Sequence, residues 1–277
     1  MFIGLQGCTH EDRDYVVVPV DTDQIAYDAA DAVNGARLYN DFTAVETGFV
    51  APEDPTVNLE HITGRKDFYR CKQCHAWDQK AQFGSYINRA PTLTRPDVST
   101  VQLTNLKFAN ITELFEGIKG TGGGVVNLAR TADGRIPELG GNMHPDYGTI
   151  LSDELIWDLV KFLKEGAFDT DGLYAINTVG SYPTGSRTFS EIGRDGDAAA
   201  GHTFYANKCA SCHGADGTSI LFGGTTTLGK YSRGNPHELQ HKIVSGQLGT
   251  PMGATPITFE EMKDLLKAFN DVAKYPN

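Results

Sequence analysis

Cys71-Lys72-Gln73-Cys74-His75 and Cys209-Ala210-Ser211-Cys212-His213 are two copies of one five-residue pattern. Together they use four of the chain's five cysteines. C-x-x-C-H is the attachment signature of a c-type haem. Two thiols three residues apart on one helical turn can each add across a haem vinyl group. The imidazole that follows then points at the iron as its first axial ligand. Cys71, Cys74, Cys209 and Cys212 are therefore the expected attachment residues, and His75 and His213 the proximal ligands. Zinc sites built from two C-x-x-C pairs usually keep the pairs close in sequence, whereas these sit at 71–74 and 209–212. A redox dithiol requires no histidine after each pair, and a disulfide across so short a loop is strained. The expected cofactors are two haem c groups, each with its iron. Covalent haem attachment takes place outside the cytoplasm, so a periplasmic or outer-surface location is expected.

The rest of the sequence agrees with two haem-binding units. A length of 277 residues allows two domains. The net charge of −11 disfavours nucleic acid, whose phosphates need a basic surface. It suits an acidic protein steered toward a basic patch on a redox partner. No apolar run is long enough to span a membrane. Leu5-Gln6-Gly7-Cys8 resembles the site at which lipoprotein precursors are acylated, so Cys8 is a candidate lipid anchor and the one expected link to a membrane. The residues before Cys8 are too few for a full signal peptide.

Read along the chain, residues 1–23 form a tail or tether, 24–165 a first haem domain, 166–196 a linker rich in Gly, Ser, Thr and Asp, and 197–277 a second haem domain. Helices are expected over 24–40, 65–76, 152–164, 201–212, 236–245 and 259–273. A further one runs to Ile118, capped by Thr112 and ended by Gly120. Ser152 and Thr258 are the expected caps of the closing helices. Both halves follow one order: helix, C-x-x-C-H, irregular wrap, helix, ligand segment, closing helix. That is an internal repeat whose first copy is larger. The fold class is all-α, two tandem haem-binding domains with long irregular loops. The glycine run 120–124 lacks the Lys and Ser/Thr of a phosphate loop and follows no strand.

At these residues the chain resembles the diheme members of the class I cytochrome c superfamily, over about residues 64–273. Gly201, Tyr205, Cys209, Cys212, His213, Gly214 and Gly217 carry the likeness in the second half. Arg70 to His75, followed by Trp77-Asp78, carry it in the first. The resemblance implies an all-α fold wrapped on each haem and an electron-transfer role, with redox proteins as partners and the role of a respiratory-complex subunit open. The expectation is a carrier rather than an enzyme. The alternative is a diheme enzyme such as a cytochrome c peroxidase, which needs one haem with a displaceable ligand and acid–base groups nearby.

The second axial ligand separates these readings. Among the four methionines, Met252 lies in a loop just before the closing helix and is the expected distal ligand of haem 2, whereas Met262 falls inside that helix. For haem 1 two neighbours compete. In small c-type cytochromes the ligand is typically followed by Pro, one residue and an aromatic. His144, with Pro145 and Tyr147 after it and Ser152 eight residues on, fits that register. Met143 is one residue out and stands as the alternative. His10, His61, His202, His237 and His241 are expected on the surface or in packing. His237 and His241 share a helix face, but no third ligand accompanies them. Arg70, Lys72 and Arg233 are candidate partners for haem propionates, with Arg65 and Lys66 beside the first motif.

Overall fold

The structure is a computed structural model and describes residues 21–45, 70–91, 97–120 and 147–277. Cys8, Met143 and His144 lie outside the described residues, as do His10, His61, Arg65, Lys66 and 121–124 of the glycine run.

Asp21 and Asp31 each turn a carboxylate onto the first free N–H groups of a helix. The single helix expected over 24–40 is therefore two: α1 (Thr22–Ala29) and α2 (Ala32–Asp41). After α3 (Cys71–His75) comes α4 (Ile111–Lys119). Its cap is Asn110, whose Oδ1 accepts from Thr112 N at 2.8 Å. Thr112, expected in that role, instead donates its hydroxyl to Asp23 Oδ2 at 2.6 Å. Gly120 ends α4 in a positive-φ conformation, as expected. Ser152 caps α5 (Asp153–Lys161), which runs on through a π-helical turn to Gly166.

The expected linker is not a plain connector. It folds into an antiparallel hairpin of β1 (Ala175–Val179) and β2 (Ser186–Ser190), so the all-α expectation holds for the helical units and fails for what joins them. A lone hairpin is marginal in water. This one is pinned to the first half by Tyr182, whose hydroxyl donates to Asp97 Oδ1 at 2.9 Å and accepts from Val98 N at 3.1 Å.

In the second half, α6 (Ala198–Lys208) stops at Cys209, and a short α7 (Ala210–His213) carries the rest of the motif. Thus the helix expected over 201–212 is broken inside. Then follow α8 (Leu228–Gly234), α9 (Pro236–Ser245) and α10 (Phe259–Ala268). Thr258 and Glu261 form a reciprocal capping box at the start of α10. This last helix is shorter than the 259–273 expected.

The described chain has two main apolar cores. One joins α2, α4 and α5 around Leu38, Ile156, Leu159 and Val160. The other joins α6, α9 and α10 around Tyr205, Leu239, Leu265 and Phe269. Their key helix crossings are alike. A Cβ on Gly35 of α2 would lie 1.9 Å from the Asp158 carbonyl oxygen of α5. One on Gly201 of α6 would lie 2.0 Å from that of Asp264 of α10. Only glycine lets backbones approach so closely. Asp31 N donates to Asp158 Oδ1 at 2.6 Å, and Asp197 N to Asp264 Oδ1 at 2.7 Å.

The halves meet along α9. His237 and His241 are buried there, at 2% and 3% exposure, so both serve packing and neither is a surface residue. His241 packs against Trp77, Tyr39 and Phe162, and its Nε2 lies 3.0 Å from the Ala36 carbonyl oxygen. Gln240 Nε2 donates to the Trp77 carbonyl at 3.3 Å. Arg37 Nε donates to that of Ser245 at 3.1 Å.

Candidate haem-binding sites

Both C-x-x-C-H segments end in the same way. The residue after each histidine takes a positive φ, 62° at Ala76 and 80° at Gly214, which stops the helix and turns the chain away. A tyrosine from the crossing helix holds that turn. Tyr39 Oη donates to the Ala76 carbonyl at 2.6 Å, and Tyr205 Oη to the Gly214 carbonyl at 2.7 Å. Each motif is thus hung on the glycine-crossed helix of its own half. In the second half that helix leads directly into the motif. In the first, α2 plays this part from well upstream, and the 65–76 helix is described only as Cys71–His75. A sequence signal for this existed: Asp31, Gly35 and Tyr39 have the same spacing as Asp197, Gly201 and Tyr205.

The four motif thiols are free rather than joined in disulfides. Burial pushes the Cys71 and Cys209 thiols up to about 11, and Cys74 to about 12. The two cysteine pairs are not gathered into one cluster: among the described residues no group of three or more His, Cys, Asp or Glu is placed to hold a metal ion. Each pair stands with its own histidine, which is the arrangement a covalent haem needs.

The two histidines differ in their second contact. His75 Nδ1 lies 3.2 Å from the Val101 carbonyl oxygen. A carbonyl partner keeps the proton on Nδ1 and leaves Nε2 as the lone-pair nitrogen, the tautomer that ligates iron. His213 Nδ1 is buried without a hydrogen-bond partner, and burial lowers the pKa of its ring. A neutral imidazole is the ligating form.

Apolar side chains flank each motif. Cys209 packs in the second core with Phe222, Tyr231, Val244, Ile257 and the half-buried Met252, so the expected haem 2 ligand belongs to the same cluster as the attachment thiol. Met262 is fully buried inside α10. In the first half, Cys71 packs on the core, with its Sγ 3.9 Å from the Tyr147 hydroxyl. Tyr147 follows Met143 and His144 closely in sequence. On these grounds the residues present fit a c-type haem at each motif.

Residues 196–267 match the family described as cytochrome C oxidase, cbb3-type, subunit III. The chain contains a cytochrome c-type domain. Such a domain binds haem c and transfers electrons to and from redox partners. No curated protein matches the chain. The matched span takes in α6 to α10 and the second motif almost entirely, and the first motif lies outside it.

The basic residues expected to face propionates are largely occupied. Arg233 donates to the carbonyls of Phe269 at 2.5 Å and Tyr275 at 3.1 Å, and to Asn277 Oδ1 at 2.8 Å, fastening the C-terminal segment. Arg70 donates to the Asn40 carbonyl at 2.5 Å and Oδ1 at 2.8 Å, tying the first motif to α2. Lys72 lies 4.4 Å over the Trp77 ring.

Proposed function

We propose that this chain is an extracytoplasmic diheme c-type cytochrome that passes single electrons between redox proteins, as a free or lipid-tethered carrier or as a subunit of a larger respiratory complex. The observation that carries this is the repeated tyrosine–carbonyl lock, Tyr39 on Ala76 and Tyr205 on Gly214, behind two C-x-x-C-H segments. One half of that repeat lies in the span that matches the cytochrome family. In this reading Cys71 and Cys74 hold haem 1, and Cys209 and Cys212 hold haem 2. His75 and His213 are the proximal ligands, Met252 is distal to haem 2, and His144 is distal to haem 1 with Met143 as the alternative. Cys8 is the candidate lipid anchor.

Bound haem supplies a one-electron ferric/ferrous couple, and the axial ligands set its potential. The chain's own part is to keep each imidazole in its ligating tautomer, to shield the iron with apolar side chains, and to fix the two halves against each other through α9. His75, backed by the Val101 carbonyl, is the more electron-rich donor of the two. With histidine as sixth ligand as well, haem 1 is the lower-potential centre, and Met252 places haem 2 higher.

A spectral redox titration of the purified holo-protein, with near-infrared bands recorded in the oxidised state, tests this. The expected result is two one-electron waves, both irons low-spin, and a methionine–iron band from one haem only. Methionine bands from both haems would replace His144 by Met143. A five-coordinate, high-spin haem would overturn the carrier reading in favour of a diheme enzyme.

A further inference from the structure

A cleft of about 270 Å³ opens where the hairpin, α9 and the wrap behind the first motif come together. Arg89 and Arg187 line it. Each guanidinium hydrogen-bonds to a neutral amide, Arg89 to Gln73 Oε1 and Arg187 Nη1 to Asn88 Oδ1 at 3.1 Å, and lies over an aromatic ring, Arg89 over Tyr86 at 4.3 Å and Arg187 over Phe189 at 5.5 Å. Among the described residues neither forms an ion pair. Arg89 Nε is buried without a partner, and so are Tyr86 Oη and His237 Nδ1, on side chains 3% and 2% exposed that line the same cleft.

Of the negative groups nearby, Glu238 also lines the cleft, and among the described residues it forms no ion pair with either arginine. Asp78, behind Arg187, accepts from Ser85 N at 2.6 Å and Lys80 N at 3.3 Å. Two arginines without a carboxylate partner are out of character in a chain of net charge −11. Guanidinium and phenol groups converge here as donors, and their complement is an acceptor-only, planar anion bound by the arginine fork.

We propose that this cleft is a carboxylate-binding site, with Arg89 and Arg187 as the charged clamp and Tyr86 and His237 as further polar contacts. A carboxylate can come from a propionate of the chain's own haem or from a small dicarboxylate in solution. The first source rests on the haem reading above, and there Arg89 and Arg187 replace Arg70 and Arg233 as the propionate partners.

The test uses the holo-protein and its Arg187→Gln, Arg187→Lys and Arg89→Gln variants. Arg194→Gln, on the solvated side, sets the background for loss of one positive charge. Both midpoint potentials are read by spectroelectrochemistry, and succinate is titrated by calorimetry at constant ionic strength. With a propionate in the clamp, Arg187→Gln lowers one haem's potential beyond the Arg194→Gln background, because an uncompensated carboxylate favours ferric iron. Arg187→Lys then recovers most of the shift, and succinate gives no heat. With a free anion as ligand, succinate binds saturably, Arg187→Gln weakens it tenfold or more, and the potentials hold. Both results support the site. Unchanged potentials together with no succinate binding, in an Arg187→Gln protein of wild-type melting temperature, overturn it. Arg89 also holds Gln73, so if Arg89→Gln misfolds, the hairpin variants carry the test alone. A count of one haem per chain would sink the two-haem reading without deciding the cleft.

Discussion

Replacing Gly201 by alanine should loosen the second haem unit at its narrowest point. The new Cβ would stand 2.0 Å from the Asp264 carbonyl oxygen, 2.4 Å from its carbon and 2.9 Å from the Ala268 Cβ. Two of those atoms are backbone, so no side-chain rotation relieves them, and α6 and α10 must part by more than about 1 Å. A gap of about 0.5–1 Å already forfeits a quarter to a half of a van der Waals contact. The contacts at stake include fully buried Leu265, Leu266 and Ala268. Overpacking of this kind costs about 1–3 kcal/mol, and a backbone clash belongs at or above the upper end. Alanine's better helix propensity offsets about 1 kcal/mol. The expected net loss is about 2 kcal/mol or more. Urea unfolding of the holo-protein, followed by circular dichroism and haem absorbance, reads it as a lower midpoint with haem 2 perturbed first. Gly35→Ala should do the same to haem 1. Gly117, inside α4 with nothing within 4 Å of a built Cβ, is the control, and alanine there should stabilise by about 0.5–1 kcal/mol. A Gly201→Ala protein as stable as the wild type would refute the crossing.

Two further outcomes follow from the interior. Tyr39→Phe strips the Ala76 carbonyl of its buried partner and should cost about 1–3 kcal/mol, with the spectrum of haem 1 altered and that of haem 2 intact; equal disturbance of both haems would count against separate locks. Burial, then Lys242, lowers the His241 pKa to about 3, and burial holds His237 well below its ordinary value. Both are neutral in the fold and gain a proton on unfolding, so stability is full above about pH 6.5 and falls as the pH drops toward 3, by up to about 1.4 kcal/mol per unit for each histidine. His241→Phe should flatten that acid slope in denaturant titrations, and an unchanged slope would place the acid sensitivity elsewhere.

The two C-x-x-C-H segments are legible as a repeat because covalent haem attachment would fix their spacing. Ser152 and Thr258 were legible because a cap is a local event. The partner of the first motif was harder to read, since α2 lies far upstream of Cys71 and the Asp31, Gly35, Tyr39 spacing gains its meaning only from the crossing on Asp158 and the Tyr39 bond to Ala76. The hairpin escaped notice because its Gly, Ser and Thr content reads as linker. Its order comes from tertiary contacts: Tyr182 on Asp97, and Phe189 stacked on His237 with ring centroids 5.0 Å apart. The arginine pair of the cleft escaped for a similar reason: sequence proximity to the motif favoured Arg70, whereas the fold spends Arg70 on Asn40 and brings Arg89 and Arg187 together from distant segments.

The most direct test is the mass of the intact, denatured holo-protein from a host that attaches haem covalently, with a pyridine haemochrome assay on the same sample. The account predicts the polypeptide plus two haems, falling to one in Cys71→Ala/Cys74→Ala and to one in Cys209→Ala/Cys212→Ala. A single haem in the unmodified chain, or haem that leaves on denaturation, would contradict it.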